Sequence, residues 1–102
     1  MFLHELEAVL RQRRSNAPEG SYSATLVTDP RRVSRKVMEE AYELCYELTQ
    51  PAVDGHRVTE EAADLMFHVL AGLVAVGVEL DDVLAELAAR RGTPSAKHPT
   101  GA

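Results

Sequence analysis

Apolar residues recur at helical spacing in four stretches of the chain, and no stretch alternates with the two-residue period of a half-buried strand. The first covers about residues 2–14, with Phe2, Leu3, Leu6, Val9 and Leu10 on one side. Ser15-Asn16-Ala17-Pro18-Glu19-Gly20 breaks it. The following Ser21–Thr28 piece has no second strand to pair with and reads as a loop. A second helix starts cleanly, with Asp29 as N-cap and Pro30 at the first helical position. It carries Val33, Val37, Ala41, Leu44 and Leu48 on one stripe and stops at Gln50-Pro51. After the Asp54-Gly55 turn, a third helix begins between Asp54 and Thr59 and runs to about Val76. The fourth takes Asp81 as its cap, carries Val83, Leu84 and Leu87, and closes at Arg90-Arg91-Gly92. The pattern predicts an all-α, four-helix domain over residues 1–91 and a flexible C-terminal tail over 92–102.

The third helix raises the question of assembly. From Ala62 to Val78 it is apolar nearly all round, the mark of a helix surrounded by others. Three further helices, two of them short, leave part of it bare in so small a domain. A second copy is the simplest cover, so a homodimer is expected. The longest apolar run, the 14 residues from Leu65 to Val78, falls short of the roughly 20 of a membrane span. No membrane partner is therefore expected. The N-terminus has neither the basic start nor the long apolar stretch of a signal peptide. A single cysteine, Cys45, excludes an internal disulfide and fits a reducing compartment, so a cytoplasmic location is expected. Cys45 lies beside Leu44 and Leu48 and reads as packing. A formal charge of −5 is the wrong sign for a general nucleic-acid binder.

That negative charge is concentrated. Eight of the 16 acidic residues fall between Glu39 and Asp64. Glu40 and Glu43 lie about 60° apart round the second helix, and Glu61 and Asp64 lie about 60° apart round the third. Each pair begins at the edge of an apolar stripe, and helices joined by a short turn pack antiparallel, so the two pairs can face each other. Like charges one turn apart cost a helix about 0.2–0.5 kcal/mol each, more when partly buried. Four or five converging carboxylates therefore call for a cation. The donors are oxygens without the Cys/His spacing of a zinc site, which points to a hard ion, Mg²⁺ or Mn²⁺. A lone EExxE is usually a solvated helix face. The second acidic pair, with Asp64 set among Ala63, Leu65, Met66 and Phe67, argues against that reading here.

At these residues the sequence resembles the all-α nucleoside triphosphate pyrophosphohydrolases, the MazG-like superfamily, whose signature is EExxE followed by ExxD on the next helix. Glu39, Glu40 and Glu43, then Glu61 and Asp64, match it in order. Within the superfamily it looks most like the phosphoribosyl-ATP pyrophosphohydrolases. Gly20–Leu26 resembles their ESYTAxL loop, Arg32–Ala41 their RIxKKVGEEA helix, Glu61–His68 their ADLLYH stretch and Gly77–Val83 their GVxLxDV. Met38 stands where the family usually has glycine. The resemblance implies a MazG-like bundle completed by dimerisation. It also implies Mg²⁺-dependent hydrolysis of phosphoribosyl-ATP to phosphoribosyl-AMP and pyrophosphate, the second step of histidine biosynthesis. Carried over, Glu40, Glu43, Glu61 and Asp64 are the expected metal ligands, and Glu39 is a further ligand or a water-orienting base.

Other residues carry weaker signals. Seven of the 11 basic residues lie between Arg11 and Lys36. Lys36 is expected either to meet a phosphate or to pair with Glu40 one turn on, and Arg32 and Arg35 either to grip phosphate oxygens or to be solvated. Ser21 and Tyr22 are candidate substrate contacts. His68 is either a core histidine paired with Asp64 or a substrate contact. Tyr42 and Tyr46 read as a pocket wall or dimer contact. Two rivals remain open: a house-cleaning nucleoside triphosphate pyrophosphohydrolase of the same superfamily, and a non-catalytic helical dimerisation module.

Overall fold

The computed structural model describes residues 1–91, and the tail expected over 92–102 lies outside the described residues. Five helices and no strand are found among them: α1 (Phe2–Ser15), α2 (Tyr22–Val27), α3 (Pro30–Leu48), α4 (Gly55–Ala75) and α5 (Leu80–Arg90). The correction is α2. The segment read as a loop is helical because Ser21 Oγ caps it, accepting from Ala24 N–H at 3.2 Å. Ala24, Leu26 and Val27 of that segment are buried. Six residues span less than two turns, too few for helical periodicity to stand out.

α3 and α4 form a long antiparallel hairpin that dominates the fold. Asp29 and Asp54 cap their N-termini through Arg32 N–H and through His56 and Arg57 N–H. The helices approach closely at Gly72, where a Cβ would come within 3.0 Å of Val33 Cγ1. At the turn end, Arg57 Nε on α4 reaches Glu47 Oε2 on α3 at 3.3 Å. α1 and α2 lie across this hairpin. Leu10, Leu26, Val27, Val33, Leu70, Ala71, Val74 and Leu80 form the core between them.

The turn from α4 to α5 uses Gly77 at φ +76°, where a left-handed residue closes the helix. Val78 N–H donates to Leu73 O and Gly77 N–H to Val74 O, which satisfies the last carbonyls of α4. α5 then starts earlier than its sequence suggests. Its cap position is Glu79, and Asp81 falls in the first turn, where it meets His4 Nε2 at 2.6 Å. The Leu80 N–H is satisfied from a distance, by the buried Glu7 carboxylate of α1 at 2.7 Å. No single helix is long and apolar enough to cross a membrane among the described residues.

Candidate metal centre

The two clamps of the hairpin, Val33 against Gly72 and Glu47 with Arg57, fix its register. The acidic pairs lie between them. One carboxylate oxygen each from Glu40, Glu43 and Glu61 comes within 4.8 Å of the others. Glu40 is buried, Glu61 half-buried and Glu43 exposed, so the trio opens from the hairpin interior to solvent. Glu40 Oε2 and Glu61 Oε2 are buried without a hydrogen-bond partner among the described residues. Buried carboxylate oxygens are normally satisfied, and these two face other acids.

The electrostatics follow from that crowding. Burial raises the pKa of Glu40, with the charges of Glu43 and Asp64 adding to it. Glu61 is also pushed up, first by a hydrogen bond with Glu43, then by desolvation and by the charges of Glu43, Asp64 and Glu40. Carboxyls drawn this close hold protons more tightly because burial and each neighbour's negative charge disfavour ionisation. The donor set, all oxygen and anionic, suits a hard divalent ion, and the two orphaned oxygens are where such an ion would be gripped.

The other expected site residues divide. Asp64 is exposed and its carboxylate is not part of the trio, although its charge is felt by Glu40 and Glu61. Glu39 is exposed and points to the rim, where its Oε2 accepts from Lys36 Nζ at 3.3 Å. Lys36 therefore pairs with Glu39 rather than with Glu40. That hydrogen bond, with Glu39's charge, raises the lysine's pKa. Arg32 and Arg35 are exposed and form no ion pair among the described residues. Ser21 is occupied as the cap of α2, while Tyr22 extends to His68 with its hydroxyl 3.1 Å from Nε2. His68 is a satisfied core histidine. Its partner on Asp64 is the main-chain carbonyl, 2.8 Å from Nδ1, and not the carboxylate. Cys45 is exposed rather than packed, because it lies further round α3 than the core-facing stripe.

Sequence reasoning missed two neighbours of the trio, Glu47 and Arg57. Tyr42, Tyr46, Glu47 and Arg57 join Glu43 and Glu61 around an open groove of about 390 Å³ beside the acids. The tyrosines fit the pocket-wall reading. Arg57 could have been found only from the hairpin register, since nothing in its local sequence ties it to Glu47.

The model of the phosphoribosyl-ATP pyrophosphohydrolase family matches residues 3–91. The chain belongs to the phosphoribosyl-ATP pyrophosphohydrolase family. A phosphoribosyl-ATP pyrophosphatase of Ruegeria pomeroyi is 42% identical over 93 residues, 88% of this chain and 85% of that protein. One from Rhodopirellula baltica is 40% identical over 93 residues, 89% of this chain and 78% of the relative. A histidine biosynthesis bifunctional protein of Schizosaccharomyces pombe is 44% identical over 81 residues, 79% of this chain, but the chain spans only 18% of its length. The phosphoribosyl-ATP pyrophosphohydrolase match runs across both halves of the acidic hairpin and both helices that buttress it.

Proposed function

We propose that this protein hydrolyses phosphoribosyl-ATP to phosphoribosyl-AMP and pyrophosphate, in histidine biosynthesis, at a divalent-cation centre on the α3–α4 hairpin. The observation that carries this reading is the trio of Glu40, Glu43 and Glu61, with two buried oxygens left without partners. Family membership supplies the substrate class, and the trio supplies a place for the chemistry. Glu40, Glu43 and Glu61 would hold Mg²⁺ or Mn²⁺, with Asp64 as the fourth acid on the same edge. The ion would supply charge neutralisation to the anhydride phosphates.

The chain's own residues then divide the work. Hydrolysis adds one water across the α–β anhydride: its oxygen bonds to phosphorus, the P–O bridge breaks, and one proton must be taken up. Glu39, solvent-exposed at the rim, orients that water and accepts its proton. Lys36 beside it, with Arg32 and Arg35 towards the start of α3, meets the phosphate oxygens. Arginine suits this because its fork matches two oxygens at once. The groove walled by Tyr42 and Tyr46 receives the rest of the nucleotide.

A second copy completes the bundle in this reading. Met66 and Val69 of α4 are exposed, and with Leu3, Leu65, Leu73 and Val83 they line a trough of about 230 Å³ with almost no polar surface. A homodimer would cover it.

The deciding experiment follows pyrophosphate release from phosphoribosyl-ATP with and without Mg²⁺, using Asp64→Asn and Glu40→Gln as controls. Mg²⁺-dependent turnover that both substitutions reduce at least a hundredfold supports the reading. Turnover of simple deoxynucleoside triphosphates in its place would assign the house-cleaning activity. No hydrolysis of any nucleotide would leave a binding or dimerisation module.

A further inference from the structure

His68 sits where α2, α3 and α4 meet, with its side chain buried. Its Nδ1 lies 2.8 Å from the main-chain oxygen of Asp64, and its Nε2 lies 3.1 Å from the Tyr22 hydroxyl. A carbonyl can only accept, so Nδ1 carries the proton. In the neutral ring Nε2 must then accept, and Tyr22 O–H donates to it. The protonated Nδ1 also faces Glu40, 3.9 Å from Oε1. That distance is too long for a hydrogen bond but close enough to favour one orientation of the carboxylate. The other oxygen, Oε2, is the one left without a partner.

Tyr22 is well placed to hold the imidazole still. It stands in the first turn of α2, whose Leu26 and Val27 are anchored in the core, and its half-exposed side chain reaches inward to the imidazole through its hydroxyl. Its ring meets the imidazole edge-on, with centroids 6.3 Å apart, and Phe67 packs edge-on at 5.2 Å. One hydroxyl on α2 is thereby connected, through one buried ring, to an acid on α3 and to the backbone of another on α4.

We propose that Tyr22 is a positioning residue of the acidic centre: by donating to His68 Nε2, it fixes the imidazole whose Nδ1–H edge orients Glu40 and holds the Asp64 turn. The inference rests on reading the acids as an ion-binding centre. It gives Tyr22 and His68 a supporting role in place of contact with the nucleotide. Without the hydroxyl, Nε2 is a buried acceptor with no partner. The ring can then turn over, and Glu40 loses the fixed donor edge beside Oε1.

The test uses the full chain with Tyr22→Phe, which keeps the aromatic ring, and Thr28→Ala as a control. Thr28, the C-cap of α2, donates to Ala24 O and forms no hydrogen bond with Tyr22 or the imidazole among the described residues, so its loss loosens the end of that helix. Mn²⁺ affinity is measured by calorimetry without nucleotide, the His68 imidazole nitrogens are followed by NMR, and KM and kcat are taken at saturating Mg²⁺. Tyr22→Phe should weaken Mn²⁺ binding about threefold to tenfold, the worth of one neutral hydrogen bond. It should also move the His68 nitrogen resonances and leave KM for the nucleotide unchanged. Thr28→Ala should leave Mn²⁺ affinity as it was. Unchanged Mn²⁺ affinity in Tyr22→Phe overturns the proposal, and a raised KM with it would make the hydroxyl a nucleotide contact. Equal weakening in Thr28→Ala overturns it too, since the effect would then come from loosening α2. If the unsubstituted protein binds no Mn²⁺, the ion-centre reading falls and takes this one with it. Normal binding there with no effect of Tyr22→Phe removes this inference alone.

Discussion

Glutamine in place of Glu40 distinguishes a carboxylate kept for a cation from one kept for the fold. Glu40 is buried, its Oε2 has no partner, and burial together with Glu43 and Asp64 pushes its pKa up. In a chelator at pH 8 its ionised form is therefore a cost. A like-charge pair one turn apart destabilises an exposed helix by about 0.2–0.5 kcal/mol, and lower effective dielectric enlarges that figure. Two such neighbours, with Gln of nearly the same shape and able to donate to the facing acids, give a gain of about 1 kcal/mol for Glu40→Gln. For a domain near this length that is about 4–8 °C in Tm.

Divalent ion should reverse the ranking. Bound at a hundred times its Kd, an ion stabilises the folded state by about 2.7 kcal/mol, and Glu40→Gln loses most of that. Thermal melts followed by circular dichroism, at pH 8 in EDTA and then in Mg²⁺, read both effects. Glu40→Gln should melt above the unsubstituted protein in EDTA and below it in Mg²⁺. A lower Tm for Glu40→Gln in EDTA would refute the reasoning, because it would make Glu40 a structural acceptor. So would an equal Mg²⁺ shift in both proteins, which would place the ion elsewhere.

Three further outcomes follow from the same structure. Glu61 and Glu40 are both pushed above the ordinary carboxyl value of 4.5, so the folded chain binds their protons more tightly than the unfolded one. That contribution to stability is full below pH 4.5 and is lost as pH rises through the raised values. In EDTA the Tm advantage of Glu61→Gln should therefore grow from pH 4 to pH 8, and a pH-independent difference would contradict it. Glu7→Ala removes the acceptor at 2.7 Å from Leu80 N–H, leaving a buried donor bare. Urea denaturation should show a loss of about 1.5–3 kcal/mol, the worth of a hydrogen bond to a charged group. Met66→Lys puts a charge in the apolar trough, and sedimentation should then find monomer where the unsubstituted chain sediments as dimer.

Much of this was legible in the sequence, for reasons tied to particular residues. Asp29-Pro30 announces α3, and Asp54 bounds the range offered for the start of α4, because a helix start is satisfied by its own neighbours. The start of α5 is not, because its first N–H is met by Glu7, 73 residues earlier. α2 escaped because Ser21 to Val27 holds too few residues to show a period. In the site, the acids could be read because i,i+3 spacing is a local property of each helix. What each acid faces across the hairpin is a tertiary property. Local spacing thus offered Lys36 either a phosphate or Glu40 although it pairs with Glu39, and gave no sign that Arg57 meets Glu47.

The register also explains why the acids stay together. Repulsion among Glu40, Glu43 and Glu61 would by itself part α3 from α4. The hairpin is closed on either side of them by contacts that do not depend on an ion. At one end Gly72 lets Val33 approach α4 closely, and at the other Arg57 neutralises the buried Glu47. Slipping the helices by one turn would break both clamps and carry Glu61 past Glu43. The observed register keeps the apolar core closed and the three oxygens within 4.8 Å. The repulsion is thus held in place by packing, and a cation bound there would relieve it in a site already assembled.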